Sequence, residues 1–362
     1  IMYLKKIGIH GLRNLTSNEV SLSPTSNFFF GENGSGKTSV LEGLYVLGRG
    51  RSFRSRTLDP VINENEESCT VFGLIDKNNI NISLGVTRTR NNDFKFKMNG
   101  QKVNNSSSLA DTMPLLLINS DSFKLLDGGP QFRRQYLDWG LFHVERSYRK
   151  SLKNFKRTLK QRNSLLRCDR INIDLLNSWN TEFVSLAEAI DEYRKIYLVG
   201  LVEKIKWVLS EITDLGNFEF KYYSGWDTDK KLLEILEKNQ QRDINMRVTT
   251  YGPQRSDLRI SLDAKPANEV LSRGQSKILV AAMQIAQGYL YYEKTAEKCL
   301  YLIDDLPSEL DLFHRKKVGK LLWDLGAQTF VTGVLKEDLL NSWPKEDLNM
   351  KMFHVEHGKI TQ

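Results

Sequence analysis

Near its N-terminus the chain reads Asn27-Phe28-Phe29-Phe30-Gly31-Glu32-Asn33-Gly34-Ser35-Gly36-Lys37-Thr38-Ser39. The short apolar run that ends at Phe30 has the pattern of a strand buried on both faces. Gly31 to Thr38 then spell a complete phosphate-binding loop, G-x-x-x-x-G-K-T. Glycines let the backbone curl until successive N–H groups aim at one anion. Lys37 adds a point charge for β- and γ-phosphates, and Thr38 a hydroxyl for Mg²⁺. Residues 39–47 continue at helical spacing, so the positive end of a helix dipole points to the same place. A glycine-rich turn with a chance lysine would have neither the strand before nor the helix after. The stretch predicts a nucleoside triphosphate with Mg²⁺.

The rest of the chain bounds what such a loop can serve. With 362 residues, 40% of them hydrophobic and 27% charged, the chain is long and apolar enough to fold as one large or two ordinary domains. No run of eighteen apolar residues is present, so no membrane span and no membrane partner are expected. Met2–Ile9 is strand-like and has no signal-peptide core. Cys69, Cys168 and Cys299 are odd in number, far apart and without metal spacing, which fits a reducing cytoplasm. A net charge of +8 favours a polyanionic partner, with nucleic acid first among them.

Residues 1–118 read as β-rich around one helix. Strands are expected at Lys5–Ile9, Phe28–Phe30, Thr70–Ile75, Asn81–Thr87 and Phe94–Met98, the last closed by an Asn99-Gly100 turn, and again near Met113–Ile118. The texture then becomes mostly helical from about Asp127 to Asn245. Tyr148, Leu152, Phe155 and Leu159 repeat at helical spacing, as do Trp179, Phe183, Leu186, Ile190 and Tyr193, then Leu201, Ile205, Val208 and Leu209. Trp139, Trp179 and Trp207 are expected to pack this part, and His10 and His143 to be surface or packing residues. The register is too short for an extended coiled-coil arm. After Thr250 come a helix over Val270–Gln287, buried strands at Cys299–Ile303 and Thr329–Thr332 with a helix Leu312–Leu325 between them, and a terminal hairpin around residues 353–360. The expected architecture is α/β, a P-loop ATPase head of mixed sheet and helices, split in sequence into residues 1–118 and 250–362 by a mainly helical lobe, 119–249. His354-x-x-His357 on that hairpin has no third ligand and is not read as a zinc site.

Leu300 to Asp305 is an apolar strand ending in two acids. An acid at such a strand tip, beside a phosphate loop, can hold Mg²⁺ together with Thr38, which assigns Asp304. The second, Asp305, can orient or deprotonate an attacking water. Lys37, Asp304 and Asp305 are thus the candidate catalytic residues. Upstream lies Leu271-Ser272-Arg273-Gly274-Gln275, and just after the acids Ser308-Glu309-Leu310-Asp311. Phosphate loop, L-S-x-G-Q, strand with D-D, then S-x-L-D is the order of motifs in ABC-type ATPases. The resemblance implies that Ser272, Arg273, Gly274 and Gln275 cap the γ-phosphate of ATP held by a second copy, in an ATP-dependent head-to-tail homodimer. It gives Ser308 and Asp311 to the loop that follows the acids.

Further stretches narrow the resemblance to the RecF family and extend it over nearly the whole chain. They are Gly11-Leu12-Arg13-Asn14-Leu15, Gly48-Arg49-Gly50-Arg51-Ser52-Phe53-Arg54, Arg133-Arg134-Gln135-Tyr136-Leu137-Asp138 and Gly252-Pro253-Gln254-Arg255-Ser256-Asp257-Leu258. Gln254 and Ser256 depart from the family's usual His and Asp. Ile118-Asn119-Ser120-Asp121-Ser122 replaces a Pro-Glu pair. Gly333 stands where many transporter-type relatives carry a His. The resemblance implies a nucleotide-contacting set of Arg13, Asn14, Gly31, Glu32, Asn33, Gly34, Ser35, Gly36, Lys37, Thr38 and Ser39. It further implies a weak ATPase used as a switch in DNA repair, recombination, replication and the SOS response. RecR and RecO would be partners, and the ATP-induced dimer would clamp DNA near single-strand gaps and help recombinase loading.

Two basic clusters bear on the DNA. Arg49, Arg51, Arg54 and Arg56 follow the first helix. Arg149, Lys153, Lys156 and Lys160 can share one helical face, with few acids nearby. Arg51, Arg54, Arg149, Lys153, Lys156 and Lys160 are therefore candidate DNA contacts. With no interleaved aromatics, they suit recognition of duplex or gapped DNA by structure rather than sequence. A transporter nucleotide-binding subunit would have a much shorter stretch between Lys37 and Ser272. An SMC-like structural protein would have a longer arm. A non-hydrolysing sensor would lack one of Lys37, Asp304 and Asp305.

Overall fold

A computed structural model of the chain describes residues 2–55, 61–91 and 93–362; Arg56 lies outside them. The chain starts with strand β1 (Met2–His10), in which Leu4, Ile7 and Ile9 are buried. A register shift between Leu4 and Lys6 turns Leu4 to the same side as Ile7. Then come β2 (Asn18–Ser21), β3 (Ser26–Phe30), helix α1 (Lys37–Arg49), β4 (Ser68–Lys77), β5 (Ile80–Thr89), β6 (Phe94–Met98), β7 (Gln101–Val103), α2 (Ser107–Thr112) and β8 (Leu115–Ile118). The middle of the chain supplies α3 (Lys124–Asp127), α4 (Pro130–Val144), α5 (Arg146–Leu165), α6 (Ile173–Ile212), β9 (Phe218–Tyr223), α7 (Leu232–Lys238), α8 (Gln240–Met246), β10 (Asp257–Leu262), β11 (Lys265–Pro266) and α9 (Ala267–Val270). The remainder is α10 (Arg273–Thr295), β12 (Leu300–Ile303), α11 (Leu306–Glu309), α12 (Leu312–Leu325), β13 (Thr329–Gly333), α13 (Lys336–Asn341), β14 (Lys351–Glu356) and β15 (Lys359–Thr361).

These elements fall into two compact units. The first takes the chain up to Ser122 together with Val208–Asp214 and Arg273–Gln362; the second takes Phe123–Trp207 and Leu215–Ser272.

The first unit is an α/β head with two six-stranded sheets. One is antiparallel throughout, in the order β2-β1-β4-β5-β6-β7. The other runs β15-β14-β3-β13-β12-β8, parallel from β14 to β8 with β15 antiparallel at its edge. β12 (Leu300-Tyr301-Leu302-Ile303) is buried on both faces and apolar throughout, while β3 and β13, also largely buried, carry apolar runs at Phe28-Phe29-Phe30 and Phe330-Val331 beside polar residues. Helix α1 meets β1, β4 and β5 of the first sheet and β12 and β13 of the second, so it lies between them. Val40, Leu41, Leu44 and Leu47 are fully buried there. Gly43 and Gly48 let the sheets come close: a Cβ at Gly43 would stand 2.8 Å from Ile9, and one at Gly48 2.5 Å from Leu115.

The second unit pairs α5 with α6. Tyr148 meets Tyr193, Phe155 meets Phe183, and Arg162 reaches Asn180, so the numbers rise on one helix as they fall on the other. The two helices are therefore antiparallel. The periodic segments at 179–193 and 201–209 are parts of one 40-residue helix. Within this mainly helical unit, β9 pairs with β10 and, through it, β11 in a three-stranded sheet. Trp139 is buried, Trp179 is half-buried and Trp207 is 40% exposed. No helix among the described residues is long and apolar enough to cross a membrane.

Candidate nucleotide site

Three neighbouring strands carry the site. β13 lies between β3 and β12, with Gly333 opposite Phe30 and Val331 opposite Ile303. The residues just past their C-terminal ends therefore converge, the usual place for a ligand in a parallel sheet.

After β3 the loop turns on Gly31 (φ 148°), Gly34 (φ 82°) and Gly36 (φ 119°), conformations that side-chain-bearing residues rarely adopt. A Cβ on Gly31 would lie 2.2 Å from the Val355 carbonyl oxygen, and one on Gly36 3.0 Å from Leu15. Gly36 caps α1, so the free N–H groups of the first turn face the loop's interior. Asn14 braces the outside, donating to the Gly34 carbonyl at 3.1 Å and accepting from the Ser39 hydroxyl at 3.2 Å. The Lys37 ammonium donates to the carbonyls of Gly31 and Glu32, 2.7 Å each. Burial lowers the Lys37 pKa, while Asp305 and Asp304 act to raise it.

After β12, Asp304 accepts from Thr38 at 3.0 Å and from the Thr332 hydroxyl at 2.8 Å. Thr332 in turn accepts the Asp305 N–H at 2.7 Å. Asp305 has a left-handed backbone (φ 52°) and opens α11; its Oδ1 is buried without a hydrogen-bond partner among the described residues. Burial raises the Asp304 pKa, Thr332 and Thr38 oppose this, and the Asp305 charge adds to it. In the sequence, Thr332 stands out only as the residue before a missing His. At Gly333 itself a Cβ would stand 2.9 Å from Leu339, so close packing accounts for the glycine.

Around these groups is an open cavity of about 640 Å³. Of the expected nucleotide set it is lined by Arg13, Asn14, Asn33, Gly34, Gly36, Lys37, Thr38 and Ser39, with Asp304 and Asp305; Gly31, Glu32 and Ser35 shape the loop but are not in the lining. The lining adds Arg54, Ile62, Asn63, Glu64, Asn65 and Thr332. Arg54, grouped with DNA contacts in the sequence, thus belongs to the cavity wall. Its anchor is Glu42, a fully buried carboxylate that holds Arg13 in a two-pronged ion pair and reaches Arg54 at 3.4 Å. The donors at this site are hydroxyl and carboxylate oxygens, the hard set that suits Mg²⁺.

A family model, the RecF/RecN/SMC N terminal domain, matches residues 3–361. The DNA replication and repair protein RecF of Pseudomonas aeruginosa (strain LESB58) is 45% identical over 362 residues, all of this chain and 98% of that protein. The chain belongs to the RecF family. The RecF of Stutzerimonas stutzeri is 44% identical, with the same coverage of both chains. Among solved structures, the recombination mediator protein RecF–ATP in the RecFOR pathway matches with a TM-score of 0.86 at 25% identity, over 99% of this chain and 97% of that one. A Smc head domain derived from Pyrococcus furiosus, TM-score 0.60 at 14% identity over 100% of this chain and 96% of its own, shares the fold.

In this RecF-family chain the remaining candidates of the first unit, Arg51, Arg273, Gly274, Gln275, Ser308 and Asp311, do not line the cavity. Ser272, Arg273 and Gly274 are exposed and Gln275 half-buried, at the start of the 23-residue α10; Arg273, Gly274 and Gln275 are absent from the lining. Ser308 is exposed, and its carbonyl accepts from Lys277 at 3.1 Å. Asp311 caps α12, accepting the His314 N–H at 3.1 Å, a local role that its motif does not indicate. Arg51 is exposed. Lys153, Lys156 and Lys160 are exposed on α5, whereas Arg149 is half-buried, stacked 4.2 Å over Phe142 and bonded to its carbonyl at 2.5 Å. Among the described residues no group of three or more His, Cys, Asp or Glu is placed to hold a metal ion.

Proposed function

We propose that this chain is an ATP-switched DNA-binding protein of repair and recombination: ATP closes two copies head to tail on DNA, and slow hydrolysis reopens them. The observation that carries the reading is the chain of contacts Thr38–Asp304–Thr332–Asp305 set opposite Lys37 at the ends of three adjacent strands. Lys37 exchanges its two loop carbonyls for phosphate oxygens, and the N–H groups of residues 34–38 surround the same anion. Thr38 and Asp304 would hold Mg²⁺, which would neutralise charge building on the phosphate oxygens. Asp305 supplies a buried acceptor with no partner among the described residues, suited to hold the attacking water and take its proton.

Ser272 to Gln275, exposed at a helix N-terminus, fit the γ-phosphate bound to a second copy. The exposed lysines of α5 and a net charge of +8 suit duplex or gapped DNA bound through its phosphates, as the names of the relatives also suggest. The RecFOR pathway named for the structural relative supports RecR and RecO as partners.

Light scattering with and without MgATP, with gapped DNA added, tests the switch. The mass should rise from one chain to two with ATP. In Asp305→Asn the two-chain mass should persist after the wild type has returned to one. A wild-type mass that ignores ATP would remove the proposal.

A further inference from the structure

We infer that Glu42 is a positioning residue of the nucleotide site, whose carboxylate holds Arg13 and Arg54 where both guanidinium groups meet the triphosphate. The inference rests on the ATP reading above. Glu42 lies on α1 one turn beyond Thr38, and its side chain is 0% exposed. Burying a carboxylate there is unfavourable unless its oxygens are well partnered. Here they are. Arg13 Nε donates to Oε2 and Arg13 Nη2 to Oε1, each at 2.8 Å, a planar fork-to-fork pair. The Ser52 hydroxyl donates to Oε1 at 2.5 Å, and Arg54 Nη1 reaches Oε2 at 3.4 Å.

The Ser52 oxygen also accepts the N–H groups of Arg54 and Ser55, 2.9 and 3.0 Å, which folds the turn that carries Arg54. Arg13 is fixed at its backbone too. It has φ 54°, its N–H donates to Val61 at 2.8 Å, and its carbonyl accepts from Asn63 at 2.6 Å. One negative charge thus orders two positive ones, and both border the cavity beside Lys37. A purely structural staple between α1 and residues 52–55 would not need its cations at the cavity wall, and an apolar contact could replace it. The surplus positive charge faces the space into which the phosphate loop opens.

Calorimetric titration of ATP and ADP, with thermal midpoints, tests this on the full chain for wild type, Arg13→Gln, Glu42→Gln, Glu42→Asp and the double variant Arg13→Gln/Glu42→Gln. Glu42→Gln should weaken ATP about tenfold, the scale of one charge-assisted contact. Glu42→Asp should recover part of it. The double variant should lose clearly less than the product of the two single losses, because Glu42 acts largely through Arg13. Multiplying losses, or a lowered midpoint with unchanged ATP affinity, would overturn the inference. If Glu42→Gln does not fold, Ser52→Ala keeps the Arg13 pair and releases only the Arg54 turn. It should still weaken ATP several-fold, and unchanged affinity there would count against the proposal. Lys37→Ala separates the two readings: if wild type and Lys37→Ala bind ATP alike, the nucleotide site itself is misread, whatever Glu42 does.

Discussion

Asp304 is held in the folded head at some expense. Burial raises its pKa, and Asp305 beside it adds to the effect, while Thr38 and Thr332 offset part of it. A carboxyl whose folded pKa lies above its unfolded value is penalised when ionised. The penalty is therefore present at neutral pH and disappears as pH falls, once the folded-state group is protonated. Asp304→Asn keeps a carbonyl oxygen for the two threonine hydroxyls and removes the charge. The ligand-free variant should melt about 1–2 °C above wild type at pH 7, and the gap should close as the pH is lowered through the acidic range. With MgATP the order should reverse, because wild type, which keeps the Mg²⁺ ligand, gains more stability from the nucleotide than the variant does. Midpoints measured across pH with and without MgATP check this, and a gap that does not change with pH would show that charge is not its cause. Lys37, Thr38 and Asp304 are legible in the sequence because their spacing is a motif. Glu42 and Thr332 are not. A glutamate in Leu41-Glu42-Gly43 looks like any exposed helical acid, and only the fold brings Arg13 and Ser52 to it. The use of Thr332 follows from the register of β13 against β12, which no local pattern encodes.

Among the elements, β3, β12 and β13 announce themselves through the apolar runs Phe28-Phe29-Phe30, Leu300-Tyr301-Leu302-Ile303 and Phe330-Val331, which burial on both faces favours. β2 and β7, four and three residues long, are too short for a period to register. In β9, Phe218-Glu219-Phe220-Lys221-Tyr222-Tyr223 does alternate, but it follows a long helical stretch whose period masks it. The apolar side of α5 follows its spacing, with Tyr148 and Phe155 buried against α6 and Leu152 and Leu159 half-buried. Its polar side divides more finely than spacing indicates. Arg149 is engaged with Phe142, and Arg157 lies 3.7 Å from Glu182. Lys153, Lys156 and Lys160 remain as exposed cations with no ion pair recorded among the described residues. Reversing these three to Glu should weaken binding to gapped duplex DNA and reduce the slope of log affinity against log salt by about 2–3, close to one unit for each phosphate left unneutralised. ATP binding should be unchanged. Equal DNA affinities and slopes for variant and wild type would remove α5 from the DNA surface and leave Arg51 as the next candidate.

For the whole molecule, the decisive property is that its phosphate loop and its Ser-x-Gly-Gln segment are expected to serve different sites. The cavity lining holds Lys37, Asp304 and Asp305 and lacks Arg273, Gly274 and Gln275, which stand at the start of α10. If two copies exchange these parts, neither copy can hydrolyse ATP alone, and the interface is isologous: a two-fold axis relates two equivalent sites, each built from the phosphate loop of one copy and the Ser-x-Gly-Gln segment of the other. Mixing then gives a sharper test than either variant alone. Lys37→Ala removes the phosphate contact and keeps Ser272, while Ser272→Arg blocks the cap and keeps Lys37. Each alone should be nearly inactive. In an equal mixture about half the dimers are mixed, and each mixed dimer has one site with both Lys37 and Ser272 intact. The mixture should therefore recover about a quarter of the wild-type ATPase rate if the two sites act independently, and close to none if both must fire together. Recovery requires that ATP sites be shared between copies. Its absence, in mixtures that light scattering shows to contain dimers, would mean either that each chain closes its own site or that hydrolysis is concerted. A mixed dimer trapped with Asp305→Asn in the intact site separates these, because it should retain one ATP only if the site is shared.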